Sequence, residues 1–187
     1  MFSRKTFNGL LCFMICLMVG ACSQLAEAQS KDKIGRSEAP ALNTLRRYVQ
    51  LRLSNADWKE YSKYITWPDE PSWDCNWVVR HYTVGTARNE KEGVIIPVNY
   101  QRLGLFCYDF DFKANSSMVT VNYELIKDAN GWKVNAPIPD YPDISSDTLL
   151  ALLQISAKDL RESRERREQF SATAHRIAAA LSLTRGK

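Results

Sequence analysis

Residues 123–134 run YELIKDANGWKV, and the way this stretch folds decides how the rest of the chain is organised. Val119, Val121, Tyr123 and Leu125 alternate with Thr120, Asn122 and Glu124, the period of a strand with one buried face. Asp128 to Gly131 supply an Asx-Gly turn, in which the glycine accepts the positive φ of a tight hairpin. Trp132 and Val134 then share one side of a short partner strand that closes at Asn135. Upstream, strand-like segments run from about Asn76 to Ala87 and from about Val94 to Leu105, separated by the charged loop RNEKEG. The loop KANSS is expected to turn the FCYDFDF segment back onto the Val119–Leu125 strand.

The first two of these strands carry a test of their own pairing. Cys75 and Cys107 are centred on Lys91, inside the connecting loop, so a simple antiparallel hairpin sets them opposite each other. In an oxidising compartment they would then form a disulfide, the alternative being two separate buried thiols. The same register pairs Tyr82 with Tyr100 and Val84 with Val98 on one face, but Trp77 with Leu105 and Val79 with Leu103 on the other. The apolar side therefore changes along the hairpin, which requires a β-bulge or a sheet covered on both faces. It also sets Arg80 against Arg102, unfavourable unless an acid or anion lies between them. Gly104 is the expected bend point.

Ahead of the strands, Leu42, Leu45, Val49 and Leu53 recur at helical spacing after Pro40. A short second helix follows, with Trp58, Tyr61 and Ile65 on one face and Pro68 ending it. Two helices, then a meander ending in YELIKDANGWKV, resemble the nuclear-transport-factor-2-like superfamily over roughly Pro40 to Pro137. That resemblance implies a strongly bent sheet wrapped around helices into a cone with an interior pocket. The expected fold is thus α+β: N-terminal helices packed on a strongly bent four-stranded antiparallel sheet, plus a long C-terminal helix. Superfamily members include isomerases, dehydratases and binding or scaffold domains, so fold alone assigns no activity.

The N-terminus addresses location. Arg4 and Lys5 precede an apolar run from Leu10 to Val19, too short to span a bilayer and typical of an export signal. Val19-Gly20-Ala21-Cys22 resembles the lipobox of bacterial lipoproteins. The resemblance implies cleavage after residue 21, a diacylglyceryl group on the Cys22 sulfur and an acylated amine, a multi-chain anchor that holds stably. The alternative is a secreted protein with Cys22 left as a thiol. Ser23 is compatible with the outer membrane, so the expected place is the bacterial cell envelope, lipid-anchored on the periplasmic face of the outer membrane. Residues 22–39 lack apolar periodicity and form a flexible tether with a reach of about 20–25 Å. Without the signal, 166 residues remain, with 23 basic against 21 acidic side chains. No broad basic field is left to recognise a nucleic acid.

The remaining residues, 138–187, begin with the proline-rich crossing IPDYPD and continue as one helix with an N-cap at Ser146 or Asp147. Leu149, Leu153, Leu160, Phe170, Ala174, Ile177 and Leu181 follow four-three spacing, interrupted by Ser156, Ser163 and Arg167. The polar waist RESRERRE offers i,i+4 pairs at Arg161–Glu165, Glu162–Arg166 and Arg164–Glu168. A solvated face is the simplest account of that waist. Alternatively the Phe170, Ile177 and Leu181 end docks a partner or a second copy, or lies on the membrane.

Catalytic signals are sparse. His81 lies mid-strand beside Gln101, and by the resemblance a histidine or carboxylate within the cone serves as a general base. His81 and Glu124 are the candidates, with a structural or surface role as the alternative for His81. Asp109 and Asp111 alternate with Phe110 and Phe112 as the exposed acids of a strand. Nucleophile elbow, phosphate loop, calcium loop and paired metal ligands are all missing, so no cofactor or metal is expected. The function expected is a non-enzymatic binding or scaffold domain for a protein or small apolar ligand, with Trp58, Trp67, Trp73, Trp77 and Trp132 as contact surface. The alternatives are an isomerase- or dehydratase-type enzyme and a self-associating lipoprotein held through its C-terminal helix.

Overall fold

Period-2 alternation over residues 94–107 and 112–128 produces two long strands, around which the rest of the structure is arranged. The computed structural model describes residues 38–69 and 71–184. The chain divides into two units, Met1–Pro40 and Ala41–Lys187; in the first, the described residues 38–40 are helical. The export signal, Cys22 and the tether lie outside the described residues.

The second unit is α+β, with a strongly curled mixed sheet. In this unit helix α1 covers residues 41–53. The second helix is one turn, α2 (Trp58–Tyr61), continued by a 3-10 turn at Ser62–Tyr64. The strands are β1 (Cys75–Val84), β2 (Arg88–Asn89), β3 (Val94–Cys107), β4 (Phe112–Asp128), β5 (Gly131–Ala136) and β6 (Asp143–Ser145). Their order is β5-β4-β3-β1-β6, with β2 also on β3. The expected four antiparallel strands are thus corrected to six, because the two-residue β2 pairs with β3 and β6 adds a parallel edge to β1 after the proline-rich crossing. KANSS is not a turn: residues 113–117 lie inside β4, and the chain reverses at residues 108–111, where Asp109 Oδ1 accepts the Asp111 N–H and Phe110 takes φ 65°.

Cys75 pairs with Cys107 and the two form a disulfide. Trp77–Leu105, Tyr82–Tyr100 and Val84–Val98 stand as the sequence predicts, but Val79–Leu103 and Arg80–Arg102 do not. Leu103 is an extra residue on β3 and Arg80 an extra residue on β1, so Val79 meets Arg102 and the original register resumes at His81–Gln101. The Leu103 bulge switches the sheet's faces. Val94, Ile96, Val98 and Tyr100 pack with Leu45, Tyr48 and Val49 of α1, whereas Leu103 and Phe106 join Val78, Phe112 and Ile144 beneath the C-terminal helices. Pro97 lies opposite the break at residues 85–87, where Gly85 donates to its carbonyl at 2.8 Å and the proline, lacking an N–H, returns no bond.

The expected single C-terminal helix is two, α3 (Ser146–Lys158) and α4 (Arg164–Leu183). The break follows from local competition for the backbone. Asp159 accepts from both the backbone and the guanidinium of Arg161, and Ser163 Oγ caps α4 by accepting from Arg166 N at 3.2 Å. Arg161 is thereby drawn away from Glu165, while the other two anticipated pairs form, Arg166–Glu162 at 3.4 Å and Arg164–Glu168 at 2.8 Å. The α3 cap is Ser145, one residue before the position expected, with its hydroxyl accepting from Thr148 N at 3.0 Å. Leu149, Leu153, Phe170 and Ile177 are buried against the sheet, each such side chain contributing about 1.5–3 kcal/mol. Residues 143–184 therefore supply five of the nine buried residues of the second core, the other four coming from β1, β3 and β4.

Candidate functional site

At the point where β3 changes faces, an apolar ladder gives way to a charge. Arg102 projects beside Tyr100 on the α1 face, and β6 brings Asp143 next to Trp77 through parallel pairing. Arg102 Nη2 donates to Asp143 Oδ1 at 3.0 Å, with both side chains largely buried at 13% and 8% exposure. The guanidinium lies 4.6 Å from the Trp77 ring centroid and 5.9 Å from that of Tyr100. Its Nε is buried and has no hydrogen-bond partner among the described residues. Burial raises the Asp143 pKa above the ordinary carboxylate range, opposed by Arg102 and by Arg52. Arg52 stacks on Tyr61 and Trp73, at 4.6 and 4.8 Å, and makes no ion pair among the described residues.

Behind this pair stands a tyrosine cluster. Tyr100 and Tyr123 share a hydroxyl hydrogen bond of 3.0 Å, and the Tyr48 ring meets those of Tyr61, Trp67 and Tyr123 edge-on. Burial pushes the Tyr48 phenol up to about 12 and raises Tyr100 and Tyr123 as well, so all three stay neutral donors at ordinary pH. These rings fill the α1 face. Two small cavities flank the ion pair: one of about 80 Å³ beside Arg52, Trp73 and Asn76, and one of about 180 Å³ between Trp77, Tyr123 and the 137–141 segment.

A larger concavity lies between α3 and α4. This furrow, about 590 Å³, has Leu150, Leu153, Ala157, Ala174 and Ala178 along its floor, because small side chains at the helix contact leave the space between the axes unfilled. Lys158, Arg164 and Arg167 stand on its rim. Arg164 is engaged by Glu168, whereas Lys158 and Arg167 form no ion pair among the described residues.

No family model, curated protein or solved structure matches the chain.

The residues singled out by sequence are dispersed. His81 is exposed and pairs with Gln101 on the face away from α1. Glu124 is on that same face, half-buried, accepting from Asn135 Nδ2 at 3.4 Å. Their β3 partners, Gln101 and Ile95, are six residues apart, about 20 Å along the strand, so the two groups do not converge. Neither faces the tyrosine-filled side where a general base was expected. Phe170 and Ile177 are core residues at 6% and 0% exposure, and Leu181 packs partly against the same core. Among the described residues, no three His, Cys, Asp or Glu side chains converge as a metal site. The Arg102–Asp143 pair was half visible in the sequence, since the Arg80–Arg102 conflict called for an acid; what sequence did not supply was the parallel β6 that delivers it.

Proposed function

We propose that this chain is a lipid-anchored protein of the bacterial cell envelope whose folded body is a non-enzymatic docking module, held by Cys22 and a short tether. The single observation that carries the docking assignment is the α3–α4 furrow. Its lining runs along α4 from Arg164 to Ala178, fourteen helical steps or about 21 Å, the length of a three- to four-turn helix. Its rim cations Lys158 and Arg167, which form no ion pair among the described residues, complement acidic side chains. The occupant proposed is an amphipathic helix of a partner protein, apolar on one face and acidic at the flanks. The curled sheet with α1 packed on it is what a nuclear-transport-factor-2-like domain would supply as scaffold; the parallel β6 and the helical hairpin are additions to that pattern.

Two measurements test this. The mass of the mature N-terminus should show a diacylated, N-acylated Cys22, and Cys22→Ala should release the protein from membranes; an unmodified cysteine overturns the anchor. For docking, a synthetic acidic amphipathic helix should bind the purified protein saturably. Ala178→Trp, at an exposed floor position, should weaken that binding at least tenfold with the circular dichroism unchanged. Binding indifferent to the tryptophan overturns the furrow as the site. A concentration-dependent dimer dispersed by the same substitution would make a second copy the occupant and overturn the partner-helix assignment.

A further inference from the structure

The space between Trp77 and the 137–141 segment carries a second assignment, independent of the helical furrow. This cavity of about 180 Å³ has two carboxylates in its wall, Asp140 and Asp143, against one guanidinium, Arg102. Arg102 is already paired with Asp143 Oδ1 at 3.0 Å, and its Nε is enclosed by the packing around it. Asp140 is exposed and makes no ion pair among the described residues, so one negative charge is left over at this cavity. Asp143 is also incompletely satisfied: its Oδ2 accepts no hydrogen bond among the described residues and, unlike Arg102 Nε, is not sealed in. Both acids thus lack the same thing, a positively charged donor.

The walls suit such a group. Trp77 already holds the Arg102 guanidinium 4.6 Å from its ring centroid, and the Tyr141 ring meets that of Trp77 at 6.4 Å and 76°, making an aromatic corner. Ile138 and Tyr141 remain 55% and 36% exposed, large apolar groups left uncovered beside the acids. We infer that this cavity is a binding site for a small primary amine with an apolar body, whose ammonium is held by Asp140 and the open oxygen of Asp143 and whose ring or hydrocarbon rests in the corner of Trp77 and Tyr141. An ammonium brings three donors to acids with acceptors to spare, and it carries its charge at neutral pH as lysine does. A carboxylate or phosphate would instead meet two like charges. The size admits a molecule well below drug dimensions.

Phenethylamine, phenethyl alcohol and phenylacetate are the probes, one ring with a cationic, neutral or anionic head, titrated into the purified full-length protein while tryptophan fluorescence and heat are recorded. Phenethylamine should bind saturably, at least about tenfold more tightly than the alcohol or the acid. Asp140→Asn, at an exposed side chain whose loss breaks no ion pair among the described residues, should weaken the amine about fivefold and leave the alcohol unaffected, with the circular dichroism unchanged. Tyr141→Leu keeps apolar bulk but removes the aromatic face, and should weaken the amine about threefold. No saturable binding of phenethylamine, equal affinity for amine and alcohol, a preference for phenylacetate, or amine binding indifferent to either substitution would each overturn the assignment.

Discussion

Replacing Arg102 by methionine retains side-chain bulk against Trp77 but leaves Asp143 without its cation. Breaking a buried pair in this way costs about 3–5 kcal/mol when the remaining partner stays charged. Two features of the site lower that figure. Arg52 still acts on the carboxylate, and burial already raises the Asp143 pKa, so the group can escape by taking a proton. A loss of about 2–3 kcal/mol at neutral pH is therefore expected. Asp143→Asn should cost a similar amount by stranding Arg102. The double variant should lose less than the sum of the two, with a coupling of about 1–3 kcal/mol. The pH dependence has a definite sign. With its folded pKa above the unfolded value, Asp143 holds more proton in the native state between those two values, so stability falls as pH rises through that interval. Arg102 opposes the shift and its removal enlarges it, so the deficit of Arg102→Met should be widest near neutrality and shrink toward about pH 4. Urea midpoints followed by tryptophan fluorescence across that range measure it. A deficit constant with pH, or single losses that simply add in the double variant, would refute the coupling.

Three further outcomes follow from the same geometry. Removing the disulfide as Cys75→Ser/Cys107→Ser opens a loop of 32 residues and should cost up to about 3–4 kcal/mol, read as a lower urea midpoint that matches the reduced wild type. Gly104→Ala should destabilise by at least about 2 kcal/mol, because a Cβ there collides with the Lys113 carbonyl and comes within 2.9 Å of the Phe112 ring; a neutral result in thermal melts would mean β4 can move aside. In alkali, stability should hold to about pH 10 and then fall as pH climbs, since Tyr48, pushed up to about 12, keeps its proton in the fold and loses it more readily once unfolded. Tyr48→Phe should flatten part of that slope, and an unchanged slope would place the effect elsewhere.

Where a period spans many residues, sequence was enough to place an element. Strand β3, the Val119–Leu125 part of β4, β5, the helix to Leu53 and the cysteine register all follow from alternation and spacing that local sequence carries, whereas the first part of β4 was read as a turn. Single-residue events are different. Leu103 and Arg80 are ordinary strand residues in type, and their extra positions exist because two cores on opposite faces demand a switch. Strand β6 is three residues long and has no period; its pairing with β1 is fixed by tertiary contact. The helix break had a local signal in Asp159 and Ser163, both able to bond their own backbone, but the surrounding charge pairs favoured continuation equally well. Arg102 could be suspected because it conflicted with Arg80, whereas the furrow depends on how two helices cross, which spacing on either one does not specify.

The location of the ion pair has a physical reason that joins these points. A continuous strand serving two cores must change from one to the other, and on β3 it does so at Arg102, between Tyr100 of one core and Leu103 of the other. Leu103 itself goes to the α3/α4 core, so Arg102 is left on the α1 face next to Tyr100, beyond the last aliphatic layer. Slipping the β1–β3 pairing by one residue would turn Arg102 toward the opposite face and away from Asp143 and Trp77. The pair therefore acts against misregister at the one point where hydrophobic alternation cannot specify it, a role in which a polar contact can add specificity even when its net stability is small. This also accounts for the spare donor. A guanidinium recruited for register needs one good acceptor, and β6 supplies it in Asp143, while Nε is enclosed by the packing around it.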